Sequence, residues 1–223
     1  MTAAGRSTPR SDRAVIMARG LGVRMGGPKG LLRFSSAGPA FVRIIADLYL
    51  KEKIPVDVPV LAELSVAHEK ELPLQEECRV LPSPPGGDTA LTMLMAWRSC
   101  RRTRTPCSHF WAHPVDLPLV TAGTIDLLWE NSRQHPTRIL RPVRDGIPGH
   151  PVVLPYDVLA ELDRRESFHQ GPLREFIAQG VFRGWLPEPV EMEVEDPGID
   201  RDFDRPADLG PTRPGPGKGE FHE

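Results

Sequence analysis

Short apolar runs alternate along the chain with longer segments in which apolar residues recur every three or four positions. The short runs predict buried strands, and the longer segments predict amphipathic helices. The predicted strands cover residues 14–18, 56–62, 78–81, 109–115, 138–143 and 190–194. The predicted helices cover residues 39–50, 65–72, 88–100, 155–164 and 172–179, with one more that begins at Thr121 or Thr124. Alternation on this scale is typical of an α/β domain with a mostly parallel sheet.

One predicted strand is interrupted by a proline. Pro59 lies in the middle of the apolar run at residues 56–62. Proline has no N–H to donate to a neighbouring strand, so it favours an irregular strand or one near the edge of a sheet. We therefore expect this run to be irregular or to lie near an edge.

The length of 223 residues suits one α/β domain with tails. We place the domain at residues 13–209. Residues 1–12 are small, polar and basic, and residues 210–223 are rich in Pro and Gly, so we predict that both tails are disordered. The sequence shows no membrane-length apolar stretch and no apolar segment of a secretory signal near its start. The expected location is the cytoplasm.

Charge and cysteine content narrow the range of partners. The formal net charge is −2, so the chain has no basic field of the kind that binds nucleic acid. Its three cysteines are an odd number without metal-ligand spacing, which predicts free thiols in a reducing compartment. Neither a nucleic acid nor a membrane is expected as a partner.

The loop after the first predicted strand carries the strongest chemical signal. It holds five glycines between residues 20 and 30, together with Arg24 and Lys29, and no Asp or Glu occurs between Arg13 and Ile45. Glycines let the backbone take a positive φ and approach a ligand, and successive free N–H groups form a concave anion site. We therefore expect a phosphate-rich ligand here; the alternative is a glycine-rich surface turn.

This loop fits neither of the two common phosphate-binding patterns. A Walker loop needs G-x-x-x-x-G-K-[ST], but Pro28 precedes Lys29 and Gly30 follows it. A dinucleotide-binding G-x-G-x-x-G begins at Gly20, but the spacing to Gly26 is one residue too long. A less common phosphate-binding loop is needed to explain the stretch.

Carboxylates occupy two further positions that suit a metal ion. Asp116 follows the predicted strand at residues 109–115, where a ligand would bind in a parallel sheet. Asp202 and Asp204 lie two residues apart, so an extended segment would place both on one face. Carboxylate oxygens suit a hard cation. The alternatives are a cap of the following helix for Asp116 and an acidic capping turn for the later pair.

Taken together, these motifs resemble the nucleotidyltransferases that attach CMP or GMP to the molybdenum cofactor, whose signature is L-A-[AG]-G-x-S-x-R-M-G-x-x-K-x-L-L. Residues 17–20 stand at L-A-A-G, residues 24–26 at R-M-G, and Pro28-Lys29 at P-K. Residues 114–119 fit the family's P-V-D-x-P-L, and residues 202–209 resemble its D-I-D-T-P-E-D-L. Residues 149–152 look like the G-H-P-V of its cytidylyl branch. The resemblance covers about residues 13–209.

The resemblance implies a single Rossmann-like three-layer α/β domain and a phosphoryl-transfer activity. An NTP, with CTP favoured over GTP, would give its nucleoside monophosphate to a phosphorylated acceptor such as molybdopterin, with Mg²⁺ as cofactor and pyrophosphate as product. A molybdoenzyme would be a further partner. The resemblance assigns roles to these residues: Arg24 and Lys29 in catalysis, Ala18, Arg19, Gly20 and Gly26 in nucleotide binding, Asp116 and Asp202 as metal ligands, and His150 in acceptor binding.

The chain departs from the family pattern at two positions in or next to the glycine-rich loop and at one position in the segment at residues 202–209. Arg19 replaces a small residue where the family brings its backbone against the base, Gly22 replaces a Ser, and Arg205 replaces a Thr. Two other functions stay open. One is transfer to a sugar phosphate or polyol phosphate, since the motifs barely distinguish the acceptor. The other is a noncatalytic module that binds a nucleotide or cofactor, which Arg19 and Arg205 favour. Independently of these, the alternative for His150 is that it holds its loop by a hydrogen bond.

Overall fold

The strands form one mixed sheet of eight members in the computed structural model, which describes residues 12–73, 77–104 and 107–209. The strand order is β3-β2-β1-β4-β7-β5-β6, and β8 pairs with β5. The strands are β1 (Asp12–Met17), β2 (Val56–Leu61), β3 (Cys78–Ser83), β4 (His109–Pro114), β5 (Leu140–Arg144), β6 (Ile147–Pro148), β7 (Val152–Pro155) and β8 (Val190–Glu193). The predicted tails lie outside the described residues, except for Asp12, which begins β1.

Four strands in the first half of the order are parallel, as predicted. β1 pairs in parallel with both β2 and β4, and β2 pairs in parallel with β3. β7 is antiparallel to both β4 and β5, whereas β8 is parallel to β5. The predicted single α/β domain with a mostly parallel sheet is confirmed.

Helices cover both faces of this sheet. They are α1 (Phe41–Lys51), α2 (Ser65–Glu71), α3 (Thr89–Thr103), α4 (Ala122–Gln134), α5 (Tyr156–Arg164) and α6 (Leu173–Phe182). Side chains of β1 alternate between the faces: Ala14 and Ile16 pack in the core shared with α1 and α4, whereas Val15 packs in the core shared with α3, α5 and α6. The alternation follows from the two-residue period of a strand. It gives the three layers that the sequence predicted.

The proline-containing strand lies near an edge of the sheet, which is one of the two alternatives that the sequence predicted. β2 is fully buried and lies next to β3, the strand at the end of the strand order. Pro59 pairs with Leu81 of β3. On the other side, the pairing of β2 with β1 ends at Asp57, so the missing N–H of Pro59 interrupts no pairing there. Proline is compatible with this inner strand because the neighbouring ladder stops before it.

The carboxyl ends of the parallel strands lead into the loops that carry the predicted motifs. β1 leads into the glycine-rich loop, β3 into the loop before α3, and β4 into the segment that begins at Asp116. In open α/β sheets ligands bind at this edge. Among the described helices, none combines the length and the apolar character needed to cross a membrane.

Candidate active site

A cleft of about 970 Å³ opens at the carboxyl ends of β1 and β4. Its lining includes residues of the loop between β3 and α3, of the loop before β7 and of α6. Lys29 and Asp116 lie in the lining, so two of the predicted motifs meet at one place. The volume is within the range of small-molecule sites.

The glycine-rich loop is built from two short 3₁₀ turns, Val23–Met25 and Lys29–Leu31. Gly22 precedes the first turn with φ 58°, in the left-handed region. A Cβ at this position would lie 2.0 Å from the carbonyl oxygen of Gly27. Both facts exclude the Ser that the resemblance led us to expect, because a side chain would be strained and would collide.

Gly30 lets the second turn lie directly on His68 of α2. A Cβ on Gly30 would be 2.6 Å from Nε2 of His68, a fully buried side chain. Nδ1 of His68 donates to the carbonyl of Leu64 at 2.9 Å, and its Nε2 has no hydrogen-bond partner among the described atoms. Burial lowers the pKa of His68, so the ring under the loop is neutral at pH 7.

Lys29 lies between two carboxylates. Its Nζ is 2.7 Å from Oδ2 of Asp116, and it also donates to Oδ1 of Asp204. Burial alone would lower the pKa of Lys29, but the hydrogen bonds and charges of the two carboxylates outweigh burial and raise it. An ammonium has three donors, so one remains for a ligand oxygen. The glycine-rich loop, the segment at residues 114–119 and the segment at residues 202–209 therefore meet at the ammonium group of Lys29.

Asp202 adds a third carboxylate to this group. Burial and then the negative charges of Asp204 and Asp116 raise the pKa of Asp202. The hydrogen bond from Lys29 lowers the pKa of Asp204, and the charge of Arg24 acts in the same direction. Three carboxylates around one ammonium leave an excess of negative charge. The raised pKa of Asp202 reflects first its burial and then that excess, which a cation would relieve.

The segment that carries Asp202 and Asp204 is held by the residue between them. The Phe203 ring is 2% exposed and packs edge-on against the rings of Phe34 and Phe41. The N–H of Phe203 donates to the carbonyl of Asp116 at 3.1 Å. Because side chains alternate along an extended segment, the buried Phe203 directs both carboxylates away from the core. This arrangement agrees with the prediction that Asp202 and Asp204 lie on one face of an extended segment.

Asp116 is placed by a buried hydrogen-bonded histidine. His113 of β4 contacts the hydroxyl of Tyr49 through Nδ1 at 3.0 Å and the carbonyl of Leu117 through Nε2 at 3.0 Å. Since a carbonyl only accepts, Nε2 carries the proton and Nδ1 accepts from Tyr49. Burial lowers the pKa of His113 to about 4, so the ring stays neutral. This link fixes the turn on which Asp116 lies.

His150 lies in the lining of the cleft. Its Nδ1 donates to the carbonyl of Ala112 at 3.3 Å, and its backbone N–H donates to the carbonyl of Ile199 at 2.9 Å. The peptide bond from His150 to Pro151 is cis. Burial lowers the pKa of His150, so its ring is neutral. The structural role that we left open for His150 is present, and Nε2 is the ring atom left for a ligand.

The remaining predicted nucleotide-binding residues lie along the loop after β1. Ala18 is buried, whereas Gly20, Arg24 and Gly26 are exposed. Arg19 lines the cleft and reaches across to the loop between β3 and α3. In the described ranges, no group of three or more His, Cys, Asp or Glu side chains is arranged to hold a metal ion. A metal ion at Asp116 and Asp202 would need further oxygen ligands from a substrate.

Two features of the site could not be read from the motifs alone. The pairing of Lys29 with Asp204 joins residues 175 positions apart. Ser83 and Thr92, which contact Arg19, carry no motif. A signal was available only for Asp204, as one of two closely spaced carboxylates. The other two are ordinary small polar residues in the sequence.

Comparison with known proteins identifies a family for this chain. The profile of the MobA-like NTP transferase domain matches residues 14–183, which is more than half of the chain. The chain therefore belongs to that family, and the suspected resemblance is confirmed at this level. A search of curated protein sequences finds no significant match.

Solved structures show the same fold at low sequence identity. Rv0371c from Mycobacterium tuberculosis has a TM-score of 0.66 and 18% identity, over 90% of this chain and 96% of that chain. It has also been solved in complex with manganese. Molybdopterin-guanine dinucleotide biosynthesis protein A from Archaeoglobus fulgidus has a TM-score of 0.62 and 14% identity, over 88% and 94%. The 4-diphosphocytidyl-2C-methyl-D-erythritol synthase from Anaerococcus prevotii has a TM-score of 0.66 and 10% identity, over 91% and 96%.

Proposed function

We propose that this member of the MobA-like NTP transferase family transfers a nucleoside monophosphate from an NTP to a phosphorylated acceptor, with release of pyrophosphate. The observation that carries the proposal is the contact of Lys29, which lines the cleft with Asp116, with the carboxylates of both Asp116 and Asp204. An ammonium with a free donor suits the phosphates of an NTP, and the surrounding carboxylates suit a divalent cation. Molybdopterin is the proposed acceptor, a molybdoenzyme the proposed recipient of the product, and the cytoplasm the proposed location.

The phosphates of the nucleotide would lie on the loop after β1. Arg24 and Lys29 would hold the β- and γ-phosphates and stabilise the pyrophosphate as it leaves. The backbone around Ala18, Gly20 and Gly26 would follow the nucleotide. Phosphoryl transfer asks for positioning and charge neutralisation more than covalent chemistry.

Mg²⁺ is the proposed cofactor, held by Asp116 and Asp202. Mg²⁺ is commonly bound by one or two carboxylates together with substrate phosphates, so the lack of a larger ligand cluster among the described residues is compatible with this site. When bound, the ion would neutralise charge on the phosphates. The manganese complex of Rv0371c supports a divalent cation in a protein of this fold.

The acceptor would lie against His150 and Arg174, which both line the cleft. Arg174 lies one residue after the start of α6, whereas Arg141, which also lines the cleft, is paired with Glu191 of β8. A guanidinium such as that of Arg174 suits the phosphate of an acceptor. An oxygen of that phosphate would attack the α-phosphorus, and the bond to the bridging oxygen of pyrophosphate would break. An attacking phosphate is already anionic, so no general base is needed.

CTP is the proposed donor because residues 149–152 resemble the cytidylyl branch of the cofactor enzymes. A second candidate function is transfer to a sugar phosphate or polyol phosphate. It is favoured by the 4-diphosphocytidyl-2C-methyl-D-erythritol synthase, whose TM-score of 0.66 is as high as that of Rv0371c.

Pyrophosphate release tests the proposal directly. Each of the four NTPs is incubated with the protein and Mg²⁺, with and without molybdopterin and with methylerythritol phosphate as the competing acceptor. We expect release with CTP that depends on molybdopterin. Release only with methylerythritol phosphate would favour the second function. NTP binding without release from any acceptor, in protein shown to be folded, would favour the noncatalytic module.

A further inference from the structure

The Arg19 side chain fills a pocket in the cleft next to the phosphate-binding loop. Its Nε donates to Oγ of Ser83 at 2.9 Å, and one Nη2 hydrogen donates to the carbonyl of Pro84 at 2.9 Å. Nη2 also donates to the carbonyl of Gly86, and Nη1 is 3.5 Å from Oγ1 of Thr92. All four atoms belong to the end of β3, the loop that follows it or the first turns of α3.

Every atom that faces the guanidinium can only accept a hydrogen bond. Pro84 and Gly86 present carbonyl oxygens. The hydroxyl of Ser83 donates its own hydrogen to the carbonyl of Val60 at 2.8 Å, and that of Thr92 donates to the carbonyl of Asp88 at 3.1 Å. Each hydroxyl therefore has only lone pairs left for Arg19. Ser83 and Thr92 are both 2% exposed, so water is a poor replacement partner for them.

This pocket lies where the base of a bound NTP would lie under the proposed function. Under that function the phosphates lie on the loop after β1, which carries Arg24 and Lys29, so the nucleoside bonded to the α-phosphate must lie in the cleft within reach of this loop. Arg19 belongs to the same loop and lines the cleft together with Lys29. The oxygen atoms that accept from its guanidinium would therefore lie within reach of the base.

We propose that Arg19 excludes guanine from this chain by filling the base pocket with a guanidinium that imitates the donor edge of guanine. Guanine carries N1–H next to N2–H₂, two adjacent donor groups of the same N–C–N geometry as a guanidinium. Cytosine and adenine place an amine beside an acceptor, and uracil places its N–H between two acceptors. A pocket of acceptors therefore suits guanine best, and here the chain supplies that donor edge itself. Arg19 is a specificity-determining residue in this proposal, which rests on the proposed function.

The consequence is a donor preference that removal of the side chain should change. With Arg19 in place, a smaller pyrimidine would bind beside the guanidinium and guanine would be kept out. With a glycine or alanine at this position, four acceptors would be exposed to the base. Two or three recovered hydrogen bonds correspond to a gain on the order of 10-fold or more in affinity for GTP.

The test measures dissociation constants by calorimetry, with Mg²⁺, for CTP, GTP, ITP and inorganic tripolyphosphate. The proteins are wild type, Arg19→Gly, Arg19→Ala and Arg164→Ala. Arg164 is an exposed α5 side chain paired with Glu161, so Arg164→Ala controls for loss of one positive charge away from the cleft. Tripolyphosphate carries no base and reports on the phosphate loop alone.

We expect wild type and Arg164→Ala to bind CTP more tightly than GTP. In Arg19→Gly and Arg19→Ala the ratio of the GTP to the CTP dissociation constant should fall by about 10-fold or more. ITP lacks the N2 amine, so it should gain less than GTP. The tripolyphosphate constant should change by less than about threefold, since loss of one nearby charge acts weakly across water.

Equal binding of GTP and CTP by wild type would overturn the proposal without any variant. An unchanged ratio in both Arg19 variants, or loss of CTP binding in them, would do the same and would make Arg19 a direct ligand of the base. In either case tripolyphosphate binding would leave the proposed function standing. No binding of tripolyphosphate by wild type would instead contradict the proposed phosphate site, and the role of Arg19 with it.

Discussion

Two charged clusters lie at opposite ends of the parallel strands and differ in how their charges are balanced. At the amino ends, Asp57 of β2 accepts from Arg13 of β1 at 3.0 Å and from Arg79 of β3 at 2.9 and 3.0 Å. Asp57 is fully buried. At the carboxyl ends, Lys29 faces three carboxylates, and the side chains of Lys29 and Asp116 are 20% and 22% exposed.

The difference separates a structural cluster from a site. The carboxylate of Asp57 has two cationic partners and no access to a ligand, so its interactions are complete within the fold. The carboxylates around Lys29 repel each other, and Asp116 lines the cleft, so under the proposed function a bound cation and phosphates would complete their interactions. Stability should then depend mainly on the first cluster and activity on the second.

The largest expected effect is on stability, at the amino-end cluster. Asp57→Ala would leave Arg13 buried and unpaired, so we expect a loss of about 3–5 kcal/mol in the free energy of unfolding. Urea denaturation measures it. Asp47→Ala is the control, because it removes a half-exposed partner of Arg43 on α1 and should cost less than about 1 kcal/mol. A similar small loss for both variants would contradict the structural assignment of Asp57.

The next effect is on turnover, at the carboxyl-end cluster. Lys29→Ala removes the donor that, under the proposed function, would stabilise the leaving pyrophosphate, so we expect turnover to fall by about 100-fold or more. The midpoint of thermal unfolding should move by only a few degrees, since the ion pairs of Lys29 are partly exposed. Lys70→Ala, on the exposed face of α2, is the matched control. Unchanged turnover in Lys29→Ala would remove Lys29 from the mechanism.

A third prediction concerns the buried ring below Asp116. The pKa of His113 is about 4 in the fold, below its ordinary value of 6.5, so the unfolded chain binds a proton first as the pH falls. The stability that neutral His113 contributes is present above pH 6.5 and is lost as the pH drops towards 4. Between pH 7 and pH 5 the loss is roughly 2 kcal/mol.

The measurement is urea unfolding of wild type and His113→Gln at both pH values. Glutamine does not titrate, so the variant should lose less stability than wild type over this interval, whatever its stability at pH 7. Equal losses in the two proteins would show that His113 does not titrate on unfolding as the buried geometry requires.

The smallest expected effects are changes in the unfolding temperature, which should have opposite signs in variants of Asp202 and Asp204. The pKa of Asp202 is raised, so its ionised form disfavours the fold at neutral pH, and Asp202→Asn should raise the unfolding temperature of the metal-free protein. The pKa of Asp204 is lowered, first by the hydrogen bond from Lys29, so Asp204→Asn should lower that temperature.

The unfolding temperatures of wild type and of these two variants are then measured with and without Mg²⁺ and CTP. Asp202→Asn should lose most of the increase that the two ligands together give to wild type, if Asp202 is a metal ligand. Shifts of the same sign in the two metal-free variants would contradict the assignment of one carboxylate to the cation and the other to Lys29.

The order of the elements could be predicted from the sequence because each strand and helix carries its own local pattern. Asp88 illustrates this, since the predicted helix at residues 88–100 begins there and the Asp88 side chain accepts from the N–H of Thr89 at the start of α3 at 2.6 Å. Pro59 predicted only that its strand is irregular or near an edge, because the choice between the two depends on how far the neighbouring ladder extends, which no local pattern records.

The site was predictable only as separate motifs. The motifs named Lys29, Asp116 and Asp202, but the contact of Lys29 with Asp204 depends on how Phe203 packs in the core. The place of Arg19 depends on partners 64 to 73 residues away. Long-range contacts of this kind follow from the fold, so they were beyond sequence reasoning.

Following the α-phosphorus of the nucleotide tests the central claim most directly. The folded protein is incubated with Mg²⁺, molybdopterin and CTP labelled with ³²P at either the α or the γ position. The account predicts that the α label appears in a dinucleotide product and the γ label in pyrophosphate, and that Lys29→Ala slows both by about 100-fold. Release of the γ label as inorganic phosphate, or an α label that stays in CTP with every phosphorylated acceptor, would contradict nucleotidyl transfer at Lys29 and Asp116.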